Sequence, residues 1–265
     1  MTALAAIDTL KPIAAKGNLE TVKRLCQRLN EIMTYAVNTG LTPNNLLAGI
    51  QKAFSAPKKQ HMPTLKPNQL PTLMAALSVA SIKLTTRCLI EWQLHTLARP
   101  SEASGTLWGE IDFDNALWNI PAERMKRSKP HAVPLTDQSL ALLEVMKPIS
   151  FGRSAFVFPS ASTHSKSLNA QTANMALKRM GFEGQLVSHG LRSLASTTLN
   201  EQGFDADLIE SALSHVGDNS VRNAYNRADY IARRTPMMVW WSECIEAASN
   251  GNLSVTGSRN LRAVN

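Results

Sequence analysis

The chain reads as mainly α-helical with one small antiparallel β-sheet. Apolar residues recur at helical spacing over most of its length, and only the stretch 111–135 has the short apolar runs and turn signals of strands. No internal repeat is present. A Pro- and Lys-containing stretch interrupts the helical pattern early. The expected layout is therefore a partial helical domain over 1–56, a linker over 57–66, a larger domain over 67–248 and a mobile tail over 249–265.

From Leu19, the residues Val22, Leu25, Cys26, Leu29, Ile32, Met33, Ala36 and Val37 mark one face of an amphipathic helix, with Asn18 placed to cap it and Gly40 just past its end. Its other face carries Lys23, Arg24, Gln27 and Arg28, which a solvated polar face explains. A second, short helix is expected after Pro43, through Leu46, Leu47, Ile50 and Phe54. In the linker, Pro57 and Pro63 stand among Lys58, Lys59, His61 and Lys66, with a spacing that suits neither helix nor strand.

The stretches 70–77 and 84–97 are apolar enough to be buried helices, and Pro100 directly after Arg99 marks a fresh helix start. Asp112-Phe113-Asp114-Asn115 is a turn between short strands, and 131–135 supplies another. The basic run 123–129 between them would form a hairpin tip. Helical spacing resumes over 140–146 and 169–180, then nearly continuously over 188–248, with Ser188 as the cap of a helix carrying His189 and Arg192 on its first turn. Near the end, Met237, Met238, Val239, Trp240, Trp241, Cys244 and Ile245 make a strongly apolar helix. Two adjacent tryptophans do not easily face one core, so a contact with a neighbouring protomer is expected there. The polar stretch after it, rich in Gly, Ser and Asn, is the expected tail.

A formal net charge of +8 over 265 residues and a pI near 9.6 favour a polyanionic partner, because each neutralised phosphate releases condensed counterions. The three cysteines, Cys26, Cys88 and Cys244, are widely spaced and odd in number, which argues against a disulfide framework or a structural zinc site and fits a reducing cytoplasm. No run of eighteen apolar residues and no export signal is seen, so neither a membrane nor secretion is indicated.

One ordered set of residues carries chemistry. It runs Arg99 in Arg-Pro-Ser-Glu, Lys126 in the hairpin, His189 and Arg192 in His-Gly-Leu-Arg, His215 after Leu-Ser, and Tyr225 ten residues later. Two guanidiniums and two imidazoles can surround the oxygens of a phosphodiester while a phenol oxygen attacks phosphorus. Lys129 and Arg127 compete with Lys126, and Tyr230 with Tyr225. His95 and His131 read as structural or groove-facing, and no metal-ligand spacing such as His-Glu-x-x-His occurs.

In order, context and spacing the set resembles the tyrosine recombinases, and within them the integrases of temperate phages, satellite prophages and genomic islands. The resemblance spans about 19–248 and is most specific between Arg99 and Tyr225. It implies a tyrosine-recombinase catalytic domain preceded by a partial helical core-binding domain. It further implies catalysis without metal, ATP or any other cofactor, through a 3′-phosphotyrosine on Tyr225. Arg99, Arg192 and His215 would hold the phosphate, His189 would be the base, and Lys126 the acid for the departing 5′ oxygen. The implied partners are double-stranded attachment-site DNA, three further copies of the chain in a tetramer on that DNA, and possible accessory proteins, an excisionase and a DNA-bending host factor. Family members usually begin with an arm-site-binding domain and a longer core-binding domain, from which this chain departs, so an N-terminally short integrase is expected. A type IB topoisomerase and a non-enzymatic DNA-binding remnant are the competing readings.

Overall fold

The computed structural model describes residues 2–58, 62–215 and 227–249, and the chain divides into two compact units, Met1–His61 and Met62–Asn265.

The first unit is built on α1 (Ala3–Ala15) and α2 (Leu19–Asn38), which bury Ala6 and Leu10 against Val22 and Cys26, with Leu47 and Ile50 closing the cluster. Sequence periodicity predicts α2 and is silent on α1, whose Pro12 interrupts the ladder; Thr2 caps it by accepting from the Ala5 N–H at 3.3 Å. The helix expected after Pro43 is only a single 3-10 turn, Ile50–Ala53. Asn45 explains part of this: its Oδ1 accepts from the Leu47 N–H at 2.9 Å and its Nδ2 reaches Asn30 Oδ1 at 2.9 Å, so the local backbone is held in an Asx turn. Gly49, at φ 74°, then breaks any continuation.

The second unit is organised around α4 (Leu84–Thr96), in which every residue from Cys88 to Thr96 is buried. A helix buried all round needs neighbours on all sides. These are α5 (Pro100–Ser104), α6 (Asp137–Ser150), α7 (Thr172–Leu177), α8 (Gly190–Glu201) and α10 (Arg227–Ser249), while α3 (Leu70–Val79) packs on α10 and α9 (Ala206–Ala212) on α8 and α10. The sheet lies as expected, with β1 (Ile111–Asp112), β2 (Leu117–Ile120) and β3 (His131–Pro134) antiparallel in the order β1-β2-β3 and Trp118 opposite both Ile111 and Val133. Trp118 turns inward onto Trp92, with ring centroids 5.2 Å apart, and Phe158 also packs on Trp92, centroids 6.2 Å apart. Among the described residues two breaks interrupt the helical pattern expected over 188–248: Gly203, at φ 80°, follows α8, and Ser214, at φ 53°, follows α9; the segment 216–226 lies outside the described residues. The expected tail falls almost wholly outside them too. Among the described residues no helix is long and apolar enough to cross a membrane.

Two expectations change. The segment around Pro63 and Thr64, read as linker, is pinned to the second unit: Val187 N–H donates to the Pro63 carbonyl at 3.3 Å and the Thr64 hydroxyl to the Gly190 carbonyl at 2.7 Å. The two tryptophans of α10 also do not need a second protomer. Trp241 is fully buried with its Nε1 donating to the Leu94 carbonyl at 2.7 Å, while Trp240 packs against Phe204, centroids 5.2 Å apart, in the same unit. They face different neighbours of one core, which a strip of sequence does not reveal.

The close approach at Pro63 has a measurable consequence. A Cβ on Gly190 would stand 2.3 Å from the Pro63 carbonyl oxygen and 3.1 Å from Leu186 Cδ1, so backbone would have to move. Gly190→Ala is expected to lower stability by about 1–3 kcal/mol, as overpacking does. An unchanged denaturant midpoint would refute that close packing.

Candidate active site

Three helix ends meet at Arg192. The side chain leaves the first turn of α8 and is 4% exposed. Its Nη1 donates to the carbonyl of Leu97, and its Nη2 to the carbonyl of Leu213 at 2.5 Å, so the C-terminal ends of α4 and α9 both aim their unpaired carbonyls at one guanidinium. Leu97 presents that carbonyl because it sits in the left-handed region at φ 56°, an uncommon conformation for a residue other than glycine. Burial, then the neighbouring Arg99 charge, lower the Arg192 pKa to about 10, with Glu102 and Glu210 pulling the other way, and the group stays cationic at neutral pH.

Arg99 stands as the cap of α5. Glu102, three residues on, accepts from the Arg99 backbone N–H at 2.9 Å and from its Nη1 at 2.8 Å. This explains the Arg-Pro-Ser-Glu spacing locally: proline starts the helix and glutamate closes back on the cap. The same guanidinium reaches Ser214, Nη1 to the hydroxyl at 3.2 Å and Nη2 to the carbonyl at 3.4 Å, which ties α5 to the turn after α9.

That turn places His215. Its Nδ1 lies 2.9 Å from Glu210 Oε2 and its Nε2 3.3 Å from Arg192 Nη2, so the ring is oriented from both sides. His189 is half-buried at the start of α8. Burial comes first, followed by the charges of Arg192, Arg99, His215 and Lys126, and together they hold His189 below the usual histidine range. A neutral imidazole at neutral pH can accept a proton. Lys126 itself is exposed in the connection between β2 and β3.

Five of the six residues singled out from sequence are thus brought into one electrostatic neighbourhood. The sixth, Tyr225, lies outside the described residues. The capping role expected of Ser188 is not what it does: its hydroxyl donates to Gln93 on α4 and its N–H to Asn174 Oδ1 at 3.1 Å, while His189 occupies the cap position with no side-chain capping bond. Ser188 therefore anchors the His-Gly-Leu-Arg turn to α4 and α7.

His95 is 1% exposed, with Nδ1 2.9 Å from Ser242 Oγ, and burial lowers its pKa to about 3. His131 is likewise lowered to about 3, by burial first, then by Arg234, with the Ala212 backbone opposing and Arg192 and Arg99 adding. Both are structural in position, although His131 borders the cationic cluster. Tyr230 packs partly buried against the core.

Sequence reasoning missed Arg234 and Arg124. Arg234 is 4% exposed on α10 and, among the described residues, donates to the carbonyls of Ala132 at 2.7 Å, Tyr230 at 3.2 Å and Ser211 at 3.4 Å, so it fastens α10 to β3 and α9. Arg124, in the hairpin, is bound to Glu110 and to the carbonyl of Glu102. No sequence signal points to Arg234. For Arg124 the only hint is its place two residues before Lys126.

Comparison with known proteins follows the same division. The family model described as Phage integrase family matches residues 63–231, and the one described as Phage integrase central domain matches residues 1–53. The chain is 52% identical over 258 residues to prophage integrase IntA of Escherichia coli (strain K12), covering 97% of this chain and 62% of that one. It is 33% identical over 269 residues to the integrase of Enterobacteria phage P4, covering 96% and 61%. It spans about three fifths of the length of these curated relatives. Among solved structures, a lambda integrase tetramer bound to a Holliday junction superposes with a TM-score of 0.63 at 19% identity, over 83% of this chain and 66% of that one, which is a likeness of fold. With a family model matched across most of the second unit and a relative sharing half its residues, the chain belongs to the phage integrase family, the phage-type tyrosine recombinases.

Proposed function

We propose that this chain is a site-specific DNA recombinase that cleaves and rejoins DNA through a 3′-phosphotyrosine. The observation that carries the reading is the convergence of Arg99, Arg192, His189 and His215 from α5, α8 and the turn after α9, within the field of Lys126. Such a pocket suits a phosphodiester whose charge grows in the transition state.

In the proposed reaction the Tyr225 oxygen attacks phosphorus and its proton passes to neutral His189. A phenol of ordinary pKa, about 10, needs that base or the surrounding cations. As the new P–O bond forms, the bond to the 5′ oxygen breaks, and the Lys126 ammonium gives that oxygen a proton. Arg99 and Arg192 donate to the non-bridging oxygens throughout, with His215 as a third donor. The phosphotyrosine conserves the bond energy, so a 5′ hydroxyl of a second duplex reverses the step without ATP.

On this reading residues 1–56 belong to a core-binding domain and 67–248 to the catalytic domain, acting in the cytoplasm on attachment-site duplexes. Four copies would assemble on the exchanging duplexes, with an excisionase and a DNA-bending host protein as accessory partners. The tetrameric lambda integrase, similar in fold, supports that assembly.

The test is a nicked duplex carrying the repeat that flanks the encoding element, incubated with the chain in EDTA and run on a denaturing gel. A covalent adduct that peptide mapping places on Tyr225 is expected. Salt-sensitive binding to the same duplex with no adduct would instead support the remnant reading.

A further inference from the structure

The hairpin that carries Lys126 is exposed from 126 to 130, yet its root is fixed with unusual economy. Arg124 closes a 3-10 turn (Ala122–Arg124) and sends its guanidinium inward, where the side chain is 20% exposed and its partner Glu110 is 6% exposed. Nη1 engages both oxygens of Glu110, and Nη2 donates to the backbone carbonyl of Glu102 at 2.7 Å. Glu110 is itself held, accepting from Trp118 Nε1 at 2.9 Å and from the Leu107 N–H at 3.2 Å. Met125, beside Arg124, is buried at 6% exposure.

Glu102 is the residue whose carboxylate holds Arg99. One residue therefore grips the phosphate-binding arginine with its side chain and the hairpin root with its carbonyl. Glycine at position 105 leaves room for this: a Cβ there would stand 2.8 Å from Arg124 Nη2 and 3.2 Å from the Ser101 carbonyl. A planar fork that reaches a carboxylate and a carbonyl at once is a task for arginine, since a lysine ammonium is a point donor.

We propose that Arg124 is a positioning residue that sets Lys126 against the phosphate held by Arg99. It acts through Glu110 and the Glu102 carbonyl and touches no reacting atom. The inference rests on the recombinase reading and on Lys126 as the acid. A proton donor held loosely on an exposed hairpin would spend little time within reach of the leaving oxygen, whereas a rooted one is preorganised.

The leaving group supplies the test. A substrate with sulfur in place of the bridging 5′ oxygen departs as a thiolate, whose ordinary pKa of about 8.5 makes protonation unnecessary. Arg124→Lys, Arg124→Met and Lys126→Ala are compared with the parent on the oxygen and sulfur duplexes in single turnover. All three are expected to cleave the oxygen substrate slower by about 10²-fold, the scale of general-acid catalysis, and to match the parent on the sulfur substrate. A general folding defect would slow both substrates alike. If the Arg124 variants remain slow on sulfur while Lys126→Ala is restored, the positioning role is wrong. If Lys126→Ala is itself not restored, the acid assignment fails and the inference falls with it; absence of cleavage by the parent on either duplex would overturn the recombinase reading.

Discussion

Arg192→Lys is expected to lower the rate of covalent adduct formation by about 10³-fold, the upper range for removing one preorganised donor to a developing oxyanion, while DNA binding weakens far less. The substitution keeps a positive charge, and charge alone is not what Arg192 supplies. Its guanidinium bridges the Leu97 and Leu213 carbonyls, so its plane is fixed before any phosphate arrives. An ammonium on a flexible stem can satisfy one of those carbonyls and must then turn away from the substrate or leave the other unpaired. Arg192→Ala would leave both helix-end carbonyls facing a buried void and would add a loss of stability to the loss of rate. Single-turnover cleavage on the nicked duplex, read beside equilibrium binding and the melting temperature, separates these effects. A lysine variant within tenfold of the parent would mean that the carbonyl bridge contributes nothing to the phosphate site.

Local features of the fold were legible because local physics decides them. The amphipathic stripe from Val22 to Val37 produces α2, the apolar run around Trp92 produces the central helix, and the Asp112–Asn115 turn with Trp118 produces the sheet. The residues proposed for the site stand in the sequence as an order and a context, and the structure explains the Arg-Pro-Ser-Glu part locally, since the glutamate three residues on closes the cap at Arg99. What stayed hidden depends on pairs far apart in the chain. Arg192 meets Leu97 across 95 residues, Arg234 meets Ala132 across 102, and Ser188 serves Gln93 rather than its own helix. No periodicity records such meetings. The premise drawn from the two tryptophans gives way for a related reason: adjacency along α10 sets the angle between them, and the placement of Phe204 and α4 decides that one core receives both.

Mild acid is expected to destabilise the second unit well before its carboxylates are protonated. His95 and His131 both have an ordinary pKa of 6.5 and a folded value of about 3. At pH 8 both are neutral in the folded and unfolded chain, so neither contributes a difference. As pH falls through 6.5 the unfolded chain takes up two protons that the folded chain refuses, and stability drops by about 1.4 kcal/mol per pH unit for each. By pH 5 the loss for the pair is about 4 kcal/mol, a large share of the 5–15 kcal/mol typical of a domain. The penalty would stop growing only near pH 3, where the folded groups themselves titrate. The causes differ in kind. His95 is refused a charge by burial alone, beside a single hydroxyl, while His131 also faces Arg234, Arg192 and Arg99. His95→Gln, which keeps a polar group near Ser242 and removes the titration, should therefore cost stability at pH 8 and roughly halve the pH slope. Urea titrations at closely spaced pH values read both quantities, and a midpoint that stays flat from pH 8 to pH 5 would show that the two imidazoles are protonated as easily in the fold as outside it.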